Sequence, residues 1–236
     1  MSKDELLNVL RNDPIKNMSV IGFVENNPIE EVYNKNNSFL IIGKSDHLWN
    51  YIVSSSLKEL KLLIKEIDFN SKYFANIEDW MVPIITSNKE IDWQLKTRRY
   101  YFPKNLEIQK PKYDIDILRE KDVETILKHS NYSEYLSSDL LLKRITEGIS
   151  ACIREDGKAV AWGATHDDKS LGFLHVIEGY RNKGYAKDIG RALINEKKEL
   201  NELPYINIEC KNDKSITLSE GIGFKYDRNI SWIKLK

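Results

Sequence analysis

The chain has 236 residues, with 36 Lys and Arg against 36 Asp and Glu and a formal net charge of +0. With 41% hydrophobic and 10% aromatic residues it can bury a sizeable core, which excludes an intrinsically disordered chain. Its length suits one large domain or two small ones, and its neutrality gives no reason to expect a nucleic-acid or membrane-surface partner. Apolar runs such as residues 39–42 fall far short of the roughly 20 residues that span a bilayer. The polar, acidic first residues do not suit a signal peptide. Cys152 and Cys210 lack CxxC spacing, so neither a disulfide framework nor a metal site is expected. A soluble cytoplasmic protein is the default expectation.

In chain order, Ser2 and Glu5 predict a capping box opening a short helix with Leu6, Leu7 and Leu10 on one side. Residues 18–24, 38–42 and 47–54 read as β-rich runs bounded by turn-forming residues. Ser56 and Glu59 form a second capping box, followed by Leu57, Leu60, Ile64 and Ile67 at helical spacing. A further helix is predicted around 76–81, limited by Pro83, and 96–102 as a strand with a basic edge. Residues 103–112, with two prolines and three lysines, mark a connector, which places an N-terminal α/β domain at 1–108 and a second domain at 113–236.

The second half opens with a predicted strand at 114–118 and helices at 120–129 and 138–147, the latter ended by Gly148. Strands follow at 151–154 and 159–165 around the turn Glu155-Asp156-Gly157, then at 171–177. A helix from about Tyr185 to Leu200 precedes Pro204, a strand at 205–209, a helix at 215–220 and a final strand or pair at 224–235.

The chemistry lies in residues 174–194: a strand, a short turn and an amphipathic helix. Arg181, Asn182, Lys183, Gly184, Tyr185 and Ala186 place two cations, a glycine and a small residue at the mouth of that helix. Unpaired N–H groups and the positive dipole end suit an anion there, and Gly184 and Ala186 let a phosphate approach the backbone. Lys187 and Arg191 add charge further round. Gly179 and Gly184 have the spacing of a P-loop, but Tyr185 and Ala186 stand where Lys and Ser or Thr are required. No GxGxxG follows a strand, which argues against a dinucleotide fold.

Arg181, Gly184 and Ala186 match the pyrophosphate loop, Arg/Gln-x-x-Gly-x-Gly/Ala, of the GNAT superfamily of acyl-CoA-dependent N-acyltransferases, which this stretch resembles. The surroundings match in order: a preceding strand, a following strand at 205–209, then Asn212, Ser215, Leu218 and the pair Gly223-Phe224. The run from Val176 to Arg181 is also similar to the turn of the glycine N-acyltransferase-like branch. The resemblance covers about 113–236 and implies a GNAT-like mixed sheet flanked by helices, an α/β fold of the α+β type. Two-domain members of that branch carry a degenerate acyltransferase-like half, and the resemblance implies the same for the smaller N-terminal α/β domain.

It further implies N-acetyl transfer (or transfer of another short acyl group) from acetyl-CoA to a primary amine by direct attack. The acyl-CoA would be held by His175, Val176, Arg181, Asn182, Lys183, Gly184, Tyr185, Ala186, Asn212 and Ser215. N–H groups near Val176 would stabilise the tetrahedral oxyanion. Glu178 is the first candidate for the base that removes the amine's proton, because similar enzymes of that branch place a glutamate at this turn; Glu209 is the second. Ser219 stands where many members put a tyrosine acid. The implied acceptor is a small-molecule amine or a protein amine, and the implied assembly a monomer or homodimer, with no nucleic acid, membrane or metal partner. Against this stand simpler readings: Asn212 and Ser215 as a helix cap, Glu178 as a surface carboxylate, and the whole domain as an inactive acyl-CoA-binding sensor or interaction module.

Overall fold

Helix α1 (Lys3–Leu10) begins where its sequence predicts. Ser2 Oγ accepts from Glu5 N at 3.2 Å and the Glu5 carboxylate accepts from Ser2 N at 2.7 Å, which buries Leu6, Leu7 and Leu10 on one side. The computed structural model describes residues 1–65, 71–87, 89–130 and 136–236. It shows a mixed α/β architecture of mixed sheet flanked by helices, in two compact units. One comprises Met1–Arg99, Ile208–Lys211 and Tyr226–Lys236; the other comprises Tyr100–Asn207 and Asn212–Lys225.

The first unit continues with α2 (Met18–Asn26), β1 (Ile29–Lys35), β2 (Ser38–Lys44), β3 (Leu48–Val53), α3 (Leu57–Lys65), β4 (Tyr73–Glu78), α4 (Val82–Ile85) and β5 (Ile91–Tyr101). Strand β10 (Lys225–Leu235) joins it from the far end of the chain, antiparallel to β4. β1, β2 and β3 are antiparallel and β3 runs parallel to β4. Period-two alternation divides the apolar residues between two faces. Phe39 and Ile41 pack with Leu6, Leu10, Val20 and Phe23, while Leu40 and Ile42 pack with Leu60, Leu63, Met81 and Ile85.

Three local expectations are corrected here. Residues 18–24 form helix α2, not a strand, because apolar side chains on nearly every side make a buried helix and a buried strand look alike. Residues 73–78 are strand β4, and Pro83 opens the short helix α4 instead of ending one, since an initial position has no N–H bond to lose. At α3, Ser56 Oγ accepts from Glu59 N at 3.3 Å, but Glu59 binds Ser38 and Asn36 instead of completing the box. Ile67 lies outside the described residues.

Arg99 on β5 is 1% exposed and fully engaged within the first unit. It donates to Asp227 Oδ2 from Nε and Nη2 at 2.9 and 2.7 Å, to Asn76 Oδ1 at 2.8 Å, to Ser19 Oγ at 3.4 Å and to the Lys16 carbonyl at 2.9 Å. One guanidinium thereby ties α2, β4, β5 and β10 together.

In the second unit, a 3₁₀ turn leads into α5 (Val123–His129), then α6 (Ser138–Glu147), capped by Ser137 and stopped at Gly148. Strands β6 (Ser150–Glu155), β7 (Lys158–Thr165) and β8 (Leu171–Val176) form an antiparallel ladder. Asp156 at φ 50 and Gly157 at φ 76 make the tight β6–β7 turn. Helix α7 (Tyr185–Glu199), β9 (Tyr205–Glu209) and α8 (Asp213–Ile222) follow. The expected strand at 114–118 is reduced to a single bridge, Asp116 with Cys152. Cys152, Trp162 and Ala164 pack with Ile126, Leu141 and Ile145 of α5 and α6. The opposite face meets α7, where a Cβ on Gly163 would stand 2.8 Å from Leu193 and 3.0 Å from Ile189.

Replacing Arg99 by alanine removes the buried partner of Asp227, leaving that carboxylate to Arg228 alone, and takes the donors away from Asn76 Oδ1 and the Lys16 carbonyl. The expected loss is about 3–5 kcal/mol of unfolding free energy. Urea unfolding of wild type and Arg99→Ala measures it, and a midpoint unchanged in the variant would contradict this role.

Candidate active site

Strand β8 is irregular where it matters. Trp162 pairs with His175 and Ala164 with Gly172, so Phe173 and Leu174 together oppose Gly163: a β-bulge. Phe173 sits at φ 50, a region that an aromatic residue enters only at a cost of about 1–3 kcal/mol. Parallel pairing of β8 with β9 is registered at Leu171↔Ile206, just before the bulge. Beyond it β8 stays with β7, as Ile177 N donates to the Val160 carbonyl at 3.0 Å. By ladder alternation the N–H and C=O of Val176 then point away from β7. Arg181 Nε meets that carbonyl at 3.0 Å.

After β8 the backbone coils into a 3₁₀ turn, Glu178–Tyr180, closed by Tyr180 N on the Ile177 carbonyl (2.8 Å) and Arg181 N on the Glu178 carbonyl (3.2 Å). Asn182 at φ 65 and Gly184 at φ 89 then turn the chain into α7. Among the described residues, the N–H groups of Asn182, Lys183, Gly184, Tyr185 and Ala186 make no backbone hydrogen bond. They form a row of donors at a helix N-terminus. A Cβ built on Gly184 would meet nothing within 4 Å, so the space above the loop is open, and the positive φ is what calls for glycine. Arg181, Asn182, Lys183, Gly184 and Lys187 are exposed around it.

The cradle is braced from behind. The Tyr185 hydroxyl donates to Glu155, whose acceptor, together with burial, pushes the phenol up to about 12. The Tyr113 hydroxyl donates to the Lys183 carbonyl at 3.0 Å, and its ring meets that of Tyr185 edge-on at 4.7 Å. Lys183 Nζ lies 5.1 Å from the Tyr180 ring centre. Buried Asp188 accepts from Lys112 N at 2.6 Å, Tyr113 N at 3.1 Å and Arg191 at 2.9 Å. Arg191 is therefore a buried partner of Asp188 and not one of the charges around the loop, a correction to the sequence expectation.

The other expected residues are placed as follows. Tyr185 contributes its backbone N–H, its side chain being turned inward. Asn212 Oδ1 accepts from Ser215 N at 3.1 Å, so these two cap α8. Glu178 is exposed at the entrance to the turn, and its carboxylate has no hydrogen-bond partner among the described residues. Glu209 ends β9 within the first unit. His175 stacks on Trp162 (4.9 Å, 21°) with His129 5.8 Å away, on the face covered by α5 and α6. Burial first, then His129 and Arg181, hold its pKa below the usual 6.5. One residue carried no sequence signal at all: Asn207 of β9 has both side-chain polar atoms buried without a partner. Each such atom costs about 1–3 kcal/mol.

Comparisons with known proteins bear on the same segment. Residues 148–233 match the family model described as FR47-like protein. A crystal structure of a Drosophila protein superposes with a TM-score of 0.80 at 15% identity, covering 100% of this chain and 97% of that one. A GCN5-related N-acetyltransferase-like protein from Streptococcus suis gives 0.56 at 15% identity, covering 100% of both chains. A tandem GNAT protein from the clavulanic acid biosynthesis pathway gives 0.54 at 11% identity, covering 93% of this chain and 87% of that one. No curated protein matches the chain in sequence. The chain thus shares the GNAT-type fold of these solved structures. Among the described residues no helix is long and apolar enough to cross a membrane, and no three His, Cys, Asp or Glu side chains converge as metal ligands.

The folded chain resists protonating His175, so the unfolded chain takes up that proton first. The stability tied to this group is complete above about pH 6.5 and is lost as the pH falls below it. In an NMR titration, His175 should titrate below 6.5 and move upward in His129→Ala, since His129 is one of the groups that hold it down. An unmoved His175 in that variant would contradict the coupling.

Proposed function

We propose that the chain transfers an acetyl or other short acyl group from acyl-CoA to a primary amine by direct attack. The observation that supports this reading best is the open row of N–H donors from Asn182 to Ala186 at the head of α7, directly after a strand bulged at Phe173. Such a cradle suits a pyrophosphate, and the exposed Lys183 and Lys187 suit the remaining phosphate charge, with surface ion pairs worth roughly 0–1 kcal/mol each. Val176 N–H, directed away from β7, is the donor for the thioester oxygen as it becomes negative. In the transfer itself, the amine nitrogen bonds to the acyl carbon, the carbon–sulfur bond breaks and CoA leaves as the thiolate. The amine's proton goes to Glu178, or to Glu209 as the second candidate, directly or through water. His175, held neutral, lends the site an aromatic wall.

Within the GNAT-type fold we assign the chain to the glycine N-acyltransferase-like branch, with the N-terminal half as a degenerate acyltransferase-like domain. The run from Val176 to Arg181 and the likeness in fold to a tandem GNAT protein over 93% of this chain support that assignment. A second reading, acyl-CoA binding without transfer, is favoured by one observation: no described group holds the Glu178 carboxylate in place.

Calorimetry should give micromolar acetyl-CoA affinity, about 7–8 kcal/mol, and Gly184→Asp should weaken it at least ~10-fold. The new side chain would be strained at φ 89 and would bring a carboxylate to the phosphates. Equal affinities would sink the cradle assignment. Thiol release with a panel of amino acids, polyamines and peptides then separates the two readings, since binding without release on any amine favours the inactive module.

A further inference from the structure

The turn between β7 and β8 holds charged side chains that the transfer reaction does not use. Asp168 is 2% exposed and anchored through Oδ1, which accepts from Ser170 N at 2.9 Å and from Ser170 Oγ at 2.6 Å. Its other oxygen, Oδ2, is buried without a partner among the described residues. Arg144 of α6 is 4% exposed, and its Nε is buried without a partner in the same way. Both charges act on one imidazole, that of His166: the carboxylate favours a proton there and the guanidinium opposes it. A buried polar atom left open costs about 1–3 kcal/mol, so the open oxygen of Asp168 is an acceptor waiting for a donor.

His166 stands where the bulge of β8 begins. Its ring rests on the backbone of Gly172, where a Cβ would come within 2.0 Å of Nε2, and lies 4.4 Å from the ring of Phe173. Phe173 is the residue held at φ 50, so the imidazole packs against the side chain whose backbone makes the bulge. Burial, the largest influence on His166, keeps the ring neutral at neutral pH. It is half-exposed, so a proton from solvent still reaches it as the pH falls. The other charges nearby are already engaged. Glu202 accepts from Lys169 and from Lys197 of α7 at 2.6 Å each, and Asp167 has an interaction of its own. The carboxylate left for an imidazolium is Asp168.

We propose that His166 is a positioning residue for the candidate site, a neutral ring that props the β8 bulge and releases it on taking up a proton. The imidazolium turns toward Asp168 Oδ2 and away from Arg144, and the bulge relaxes behind it. Both movements are favourable, since the cation gains a charge-assisted hydrogen bond and escapes a like charge. What stays behind is Phe173, held at a φ that costs about 1–3 kcal/mol and deprived of the ring that packs against it. The bulge sets how β8 arrives at Val176 and at the turn into the cradle, so acid weakens acyl-CoA binding through a group that does not touch the ligand. That effect on binding rests on the acyltransferase reading above; the movement of the bulge does not.

The test has an arm with ligand and an arm without. In calorimetry with acetyl-CoA from about pH 7.5 down to about pH 5, wild-type affinity should fall more steeply than that of His166→Phe, whose ring takes up no proton. Protonation of the ligand's own phosphate is common to both proteins and cancels in their ratio. At the upper pH, His166→Ala should bind about 10-fold more weakly than wild type, and the ring of His166→Phe should recover most of that loss. The pH at which affinity falls should move down in Asp168→Asn and up in Arg144→Met, which decides the matter even where His166→Ala fails to fold. In the free wild type, the HN–Hα coupling of Phe173, which reports its φ, should change in step with the imidazole resonance of His166 and not with that of His175. Equal pH dependence in wild type and His166→Phe overturns the proposal, as does a Phe173 coupling that stays constant through the His166 step. No acetyl-CoA binding by the wild type at any pH overturns the acyltransferase reading, and the Phe173 coupling then decides the prop by itself.

Discussion

The bulge in β8 is the constraint on which the candidate site depends. Phe173 at φ 50 lets two residues stand opposite Gly163, and it follows directly on the residues that pair β8 with β9. Its strain, about 1–3 kcal/mol, has to be offset locally. Phe173 packs against the core shared by Trp162, Ile126 and Leu141, and its ring lies 4.4 Å from that of half-buried His166. Gly172 makes room for this imidazole, since a Cβ there would meet His166 Nε2 at 2.0 Å. Burial holds the pKa of His166 down, so the ring packs as a neutral group at neutral pH. A strand that leaves its ladder in this way frees backbone donors that a regular sheet would consume.

The same logic governs the start of α7. A helix N-terminus always leaves N–H groups over, and most proteins cover them with a side-chain cap. Here the N-cap is glycine, which has no side chain to offer, and its φ of 89 would penalise one. The surrounding chain is nevertheless pinned, by Tyr185 on Glu155, by Tyr113 on Lys183, and by Asp188 on the backbone of Lys112 and Tyr113. Rigid support behind donors left open in front is the arrangement of a preorganised anion site, in which little ordering remains for binding to supply. Residues 103–112 lie within the second unit, and the end of that stretch is what Asp188 holds.

Much of this was legible beforehand, for reasons that differ by residue. The capping box of α1, the turn at Asp156-Gly157 and the loop from Arg181 to Ala186 are local, so spacing alone revealed them. Helix α2 and strand β4 are not legible in this way, because their apolar runs are buried on several sides and carry no clean period. Arg191 looked available on charge alone and proved to be spoken for by Asp188, three residues earlier in the same helix. Asn207 was silent, since an asparagine in a strand acquires meaning only when its lack of partners is seen. The buried Arg99 network was equally invisible: its members, Lys16, Ser19, Asn76 and Asp227, are scattered along the chain and meet only after folding.

The central claim is that the open N–H groups at the head of α7 and the bulged strand before them form one continuous binding surface for acyl-CoA. A crystal structure of the protein grown with CoA tests it most directly. The account predicts pyrophosphate oxygens about 2.7–3.2 Å from the backbone nitrogens of Gly184 and Ala186, with the pantetheine arm running back along β8 past Val176. CoA bound elsewhere, with those nitrogens still without an anion, would contradict it.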